Sequence, residues 1–204
     1  MYVHVETRPD LTVMLLGVAA AGALSVNAHL EDGCLFVCSF SDGQIMYGGM
    51  QSWYFTHLIG LTKAAGAAGA GYKTIKIAPQ VPNANVTGGS NSSGLAGAAL
   101  QLQTDRGEIR VQWTQANATA DAATRFALSV AVPVSTEAEL CVPTFGKSAS
   151  EVRITEGGLP AWSAGKYVSV AGCTGGSANV VVGGGGVEIC FACGCGSYEL
   201  ALMH

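Results

Sequence analysis

Thr104-Asp105-Arg106-Gly107-Glu108-Ile109-Arg110-Val111-Gln112-Trp113 is the stretch whose reading decides the fold. Asp105-Arg106-Gly107 makes a short turn, with glycine where a positive φ costs little. Beyond it, Ile109, Val111 and Trp113 point to one face, and Glu108, Arg110 and Gln112 to the other. A half-buried antiparallel strand needs that period of two. Working backward, Ala98–Gln103 supplies the other arm of the hairpin. Before it come a strand at Tyr72–Ile77, stopped by Pro79 and Pro82, and a loop of Asn, Ser and Gly over 83–97. Working forward, Arg125–Val132 repeats the alternation, with Phe126, Leu128, Val130 and Val132 inward. Further strands are predicted at Glu137–Val142, Glu151–Thr155, Lys166–Ala171, Asn179–Val182, Val187–Phe191 and Tyr198–Leu202. About ten short strands separated by turn signals predict a mainly β chain, an antiparallel β-sandwich preceded by one or two helices. No fixed-period repeat is visible, which argues against a propeller.

The composition suits a packed domain. Of 204 residues, 49% are hydrophobic and 12% charged, so the chain is not disordered by composition. Its net charge of −4 and its ten scattered Lys and Arg leave no basic cluster to neutralise phosphates, so no nucleic-acid partner is expected. Leu11–Val26 is an apolar run leading into Val26-Asn27-Ala28, roughly the outline of a secretory signal. Its flank fits poorly, with Glu6 and Asp10 against a lone Arg8. It is also short and interrupted for a membrane helix, so no clear membrane span is expected. Residues 1–43 are therefore a poorly defined N-terminal segment, readable as a signal or anchor, or as a buried Ala-rich helix. Acceptor sequons at Asn85, Asn91 and Asn117 favour a secreted or secretory location.

Ahead of the sandwich, Met46, Met50, Trp53, Tyr54, His57, Leu58 and Leu61 share one helical face. They predict a helix over residues 44–62, ending near Gly60. Residues 63–71 are rich in Ala and Gly and read as a linker to a sandwich domain over 72–204. The linker glycines precede a strand rather than opening a helix, so they do not form a phosphate cradle.

The seven cysteines are odd in number, so at least one has no intramolecular partner. Cys190-Phe191-Ala192-Cys193-Gly194-Cys195 contains half of a possible zinc site, but no second CxxC completes it. Positions 190 and 193 also fall on opposite faces of a strand. No metal and no cofactor are expected. A disulfide from this cluster to Cys173 or Cys141 is one reading, and small buried core cysteines are the other. Two weak substrate-binding candidates stand out. Trp162, in a stretch read as a loop, could stack an exposed indole on a sugar face. His57 lies on the apolar helical face, where a satisfied core histidine is the plainer reading. Glu31 and Asp32 are the only adjacent acids near the N-terminus.

Four stretches, in order, resemble the C-terminal end of bacterial-type α-L-rhamnosidases, glycoside hydrolase family 78, and a fifth closes the series. Tyr47–Gly60 is similar to the last helix of the family's catalytic (α/α) barrel. Gly71–Pro79 resembles the strand entering its C-terminal sandwich. Thr104–Trp113 resembles its hairpin, and Phe126–Pro143 the strand pair that follows. Gly196-Ser197-Tyr198-Glu199-Leu200 resembles its closing strand. The likeness spans about residues 44–202.

The resemblance implies an activity and also its limits. The family removes terminal α-L-rhamnose with inversion, which takes an acid and a base carboxyl about 6.5–9.5 Å apart. In the family both come from the barrel, upstream of everything that matches here. The family's tryptophan-flanked glutamate is missing from residues 1–43, and Gln44 stands where the family has a substrate-contacting histidine. The expectation is the sandwich portion of such an enzyme, without its catalytic residues and inactive alone. Its partner would be the missing barrel or a rhamnose-containing glycan. The alternative is a stand-alone secreted carbohydrate-binding or structural module.

Overall fold

The computed structural model describes residues 2–6, 14–18, 24–28, 36–39, 52–81, 97–115, 124–180 and 186–203. Four strands come first: β1 (Tyr2–Glu6), β2 (Met14–Val18), β3 (Leu24–Ala28) and β4 (Phe36–Ser39). A helical turn, Tyr54–Leu58, leads into β5 (Leu61–Lys63), a tight turn Gly66–Tyr72, and β6 (Thr74–Ile77). The hairpin arms are β7 (Gly97–Thr104) and β8 (Gly107–Gln115), followed by β9 (Thr124–Val132) and β10 (Glu137–Pro143). The remainder is β11 (Arg153–Glu156), β12 (Leu159–Ser163), β13 (Lys166–Tyr167), β14 (Cys173–Val180), β15 (Val187–Cys193) and β16 (Gly196–Met203).

These strands form two sheets, and the chain is mainly β, as its alternation predicts. The larger sheet runs β13-β12-β11-β16-β9-β8-β7 and continues through β1-β2-β3-β4; the smaller runs β14-β15-β10-β6-β5. All pairs are antiparallel except β6 with β10, where Ile75 faces Ala138 in parallel register. The alternating positions decide which face is inside. Ile109, Val111 and Trp113 on β8, and Phe126, Leu128 and Val130 on β9, are all fully buried. They meet Ile75, Ile77, Leu140, Ile189 and Phe191 in one core cluster. Burial of this kind is worth about 1.5–3 kcal/mol per large apolar side chain.

The predicted hairpin also clasps its surroundings. At its tip Arg106 donates through Nε to the Gly71 carbonyl at 3.0 Å and through Nη1 to the Ser135 carbonyl at 2.9 Å. Both acceptors sit at positive φ, +56° and +60°. One guanidinium, with its planar fork of donors, thus ties the turn before β6 to the turn between β9 and β10.

Several expectations need correcting. Residues 63–71 are not a free linker. Lys63 ends β5, and Gly69 is buried so closely that an added Cβ would lie 1.8 Å from the Ala64 carbonyl oxygen. Gly69 serves close packing, while Ala65, Gly66, Ala67, Ala68, Ala70 and Gly71 around it are exposed. The apolar run 11–26 contains two strands, β2 and β3, paired as a hairpin from Met14↔Ala28 to Val18↔Leu24. No helix among the described residues is long and apolar enough to cross a membrane. The helix predicted over 44–62 is seen as helical only at residues 52–58; residues 44–51 lie outside the described residues, and Leu61 is already in a strand. All three sequons, Cys34, Glu31, Asp32 and Gln44 lie outside the described residues too.

Arg106→Ala should leave the strands intact and lower the thermal midpoint. Two charge-assisted but partly solvated bonds amount to about 1–2 kcal/mol, or a few degrees in a domain of this size. An unchanged melting curve would show that the clasp contributes nothing.

Candidate functional site

The helical turn is where the sandwich meets the apolar stripe read from the sequence. Its five residues carry π spacing, with the Ile59 amide donating to the Tyr54 carbonyl at 2.9 Å. Leu58 and Ile59 turn into the core. Trp53 is 49% exposed, with its ring stacked on His57 at 5.9 Å and edge-on to Tyr54 at 5.5 Å. The Thr56 hydroxyl donates to the Ser52 carbonyl at 2.8 Å and lies 2.7 Å from His57 Nδ1. With that hydroxyl proton committed to Ser52, the Thr56 oxygen is left to accept from His57 Nδ1–H. His57 is therefore half-buried and paired, neither a core residue nor a free ligand.

Three contacts fasten this turn to the sandwich. The Trp113 indole donates to the Leu58 carbonyl at 2.9 Å, satisfying an acceptor left over at the helix end. The Gln80 amide donates to the His57 carbonyl at 2.9 Å, and the Ala78 amide to the Gly60 carbonyl at 3.0 Å. Gly60 has φ +77°, and an added Cβ would fall 2.1 Å from the Ala78 carbonyl carbon. Only glycine fits there.

A second feature lies on the outer face of the larger sheet. A groove of about 460 Å³ crosses β7, β8, β9 and β16, lined by Gln101, Arg110, Gln112, Ser129, Ser197 and Glu199 with Ala99 and Ala131 between them. Strand register builds it in rows. Gln101 faces Arg110, which faces Ala131, which faces Ser197; Gln112 faces Ser129, which faces Glu199. It continues over Ala127, Ala201 and Gly157 into a second groove of about 400 Å³ that shares Ser129 and Glu199. Arg110 Nη2 donates to Glu108 Oε2 at 2.7 Å, and Gln101 bonds the other carboxylate oxygen. The bond from Arg110 holds the Glu108 carboxyl below its usual range. The sequence supplied each of these residues as the polar half of an alternation. Only register shows that they are neighbours.

Other expected site residues resolve differently. Trp162 is not an exposed loop indole. It lies in β12, is 3% exposed, and donates Nε1–H to the Ala149 carbonyl at 2.8 Å. Its ring faces are covered, so it cannot stack on a sugar. Cys141 and Cys190 are disulfide-bonded across β10 and β15, and Cys173 and Cys193 across β14 and β15. Glu139 lies close to the first pair, but bonded sulfurs offer no thiolate to a metal. Glu139 and Glu188 both reach Lys76 Nζ, at 3.6 and 2.7 Å. Burial works against that ammonium, but the hydrogen bonds and charges of Glu188 and Glu139 outweigh it and raise its pKa.

Comparisons with known proteins agree with this geometry. The family model described as bacterial alpha-L-rhamnosidase C-terminal domain matches residues 61–156, from the start of β5 to the end of β11. No curated protein matches the chain. Among solved structures it is similar to the alpha-L-rhamnosidase from Dictyoglumus thermophilum, 21% identical with a TM-score of 0.50. That match covers 78% of this chain and 14% of that one. The Streptomyces avermitilis alpha-L-rhamnosidase complexed with L-rhamnose aligns at 17% identity and a TM-score of 0.43, over 76% of this chain and 11% of its own. The chain thus spans a small part of the enzymes it resembles.

Trp113→Phe keeps the ring and removes the donor. It leaves the Leu58 carbonyl buried and unpaired, a loss of about 1–3 kcal/mol. Thermal melting should drop by several degrees, and a midpoint equal to wild type would show the bond to be dispensable. The match over residues 61–156 supports a C-terminal rhamnosidase-like region in that part of the chain.

Proposed function

We propose that this chain is the C-terminal sandwich portion of an α-L-rhamnosidase-like glycoside hydrolase, that it holds the last helix of a catalytic barrel, and that it is inactive alone. The observation that carries this reading is the fastening of the helical turn to the sandwich, at the place where the family model begins. The sandwich grips Leu58, Ile59 and Gly60 on one side and leaves Trp53 half exposed on the other. An aromatic face presented in this way suits packing against further helices.

Two measurements test the reading. Incubated with an aryl α-L-rhamnoside, the purified chain should release no rhamnose; turnover by the chain alone would overturn it. The chain should also self-associate or bind a hydrophobic dye through Trp53, and Trp53→Asp should suppress both. A monomer that binds no dye would remove the docking face.

A second reading, a carbohydrate-binding module for a rhamnose-containing glycan, is favoured by the outer groove. Its amides, guanidinium and hydroxyls over a floor of small side chains suit sugar hydroxyls. Calorimetric titration with a methyl rhamnoside decides it: heat lost in Arg110→Ala supports the module, and no heat with wild type rejects it. Secretion rests on the sequence pattern alone.

A further inference from the structure

Three cysteine residues lie at one end of β14 and β15. Cys173 opens β14 and is bonded to Cys193, which closes β15 directly opposite it. Cys195 follows two residues later, exposed and free. The backbone around them is pinned. The Gly194 amide donates to the Gly172 carbonyl at 2.9 Å, and the Tyr198 hydroxyl lies 3.1 Å from the carbonyl oxygens of both Gly172 and Gly194. A Cβ on Gly172 would fall 2.6 Å from that hydroxyl oxygen, so glycine is what lets the phenol close over the turn. Burial pushes the Tyr198 phenol up, and charge on Cys195 and Glu156 adds to the shift. Cys195 therefore follows directly on Gly194, whose backbone is tied to the turn that leads into Cys173.

We propose that Cys195 exchanges with the Cys173–Cys193 disulfide, so that this cluster holds two interchangeable pairings. Cys195 gives its proton to solvent, and its thiolate attacks the Cys173 sulfur. The Cys173–Cys195 bond forms as the Cys173–Cys193 bond breaks. Cys193 leaves with the electron pair and takes a proton from water. Nothing is oxidised or reduced overall, so the step needs no outside oxidant. Attack falls on Cys173 because it is half-buried, whereas Cys193 is 5% exposed. Closing Cys193 onto Cys195 would instead force a tight ring around the single residue Gly194. The displaced Cys193 remains in the core, where apolar surroundings favour its neutral thiol and slow the return. The second disulfide does not take part, since Cys141 and Cys190 are 1% and 2% exposed. The result is a redox-neutral switch in how the edge strand β14 is tethered, from a buried crosslink to an exposed one.

The test maps thiols by alkylation. The full chain is held for hours near pH 8.5, about the ordinary thiol pKa, quenched in acid, unfolded and labelled with N-ethylmaleimide. Cleavage after Glu188 and Glu199 puts Cys190, Cys193 and Cys195 on one peptide, where fragmentation locates the label. Label on Cys193 should rise several-fold with time as label on Cys195 falls. In Cys195→Ser no label should reach Cys193. In the double variant Cys34→Ser, Cys38→Ser the rise should persist, which keeps the test valid even if Cys195→Ser fails to fold. Label confined to Cys195 throughout, label appearing on Cys173, or a rise that disappears with Cys34 and Cys38 would each overturn the proposal.

Discussion

The indole of Trp113 and the carbonyl of Leu58 are 55 positions apart in sequence, and their bond is where the chain's two parts become one. A helix that ends inside protein must find partners for its last carbonyls. Here the partner is a side chain from the centre of the larger sheet, itself 1% exposed. That placement fixes both elements. Trp113 can reach Leu58 only with β8 in its observed register, and Leu58 can accept only if Gly60 turns the chain sharply into β5. The contacts of Gln80 and Ala78 with His57 and Gly60 follow from the same turn.

This junction also separates two surfaces with different chemistry. On one side Trp53, Tyr54 and His57 form a half-exposed aromatic cluster. On the other, the outer face of the larger sheet is polar and shallow. Arg106 holds the turns at Gly71 and Ser135 together at the hairpin tip.

How much of this could be read beforehand depended on whether local pattern or distant contact decides. β8 and β9 were legible because one face is buried and the other wet, so period two is imposed residue by residue. The extent of β10 and β16 followed closely. β12 was missed because Leu159-Pro160-Ala161-Trp162 has no alternation, and Trp162 was then read as a loop residue when tertiary packing buries it. The Ala- and Gly-rich stretch before β6 read as flexible because composition alone cannot separate a small residue chosen for freedom from one chosen for closeness. Gly69 is the second kind. Of the two weak candidates, His57 lies in a paired cluster and Trp162 in the core. The outer groove was invisible because its residues come from four strands whose register no single segment contains.

The parallel pairing of β6 with β10 has a kinetic meaning. Thr74–Ile77 must wait for Glu137–Leu140, and the whole β7-β8-β9 meander lies between them. Closing that long loop before any neighbouring contact rewards it is entropically unfavourable. During synthesis β6 emerges first and must remain without this neighbour until the hairpin and β9 have left the ribosome. The parallel pair therefore closes late, and until β10 has emerged the inward Ile75 and Ile77 of β6 have β5 as a neighbour on one edge and none on the other, an interval that favours aggregation.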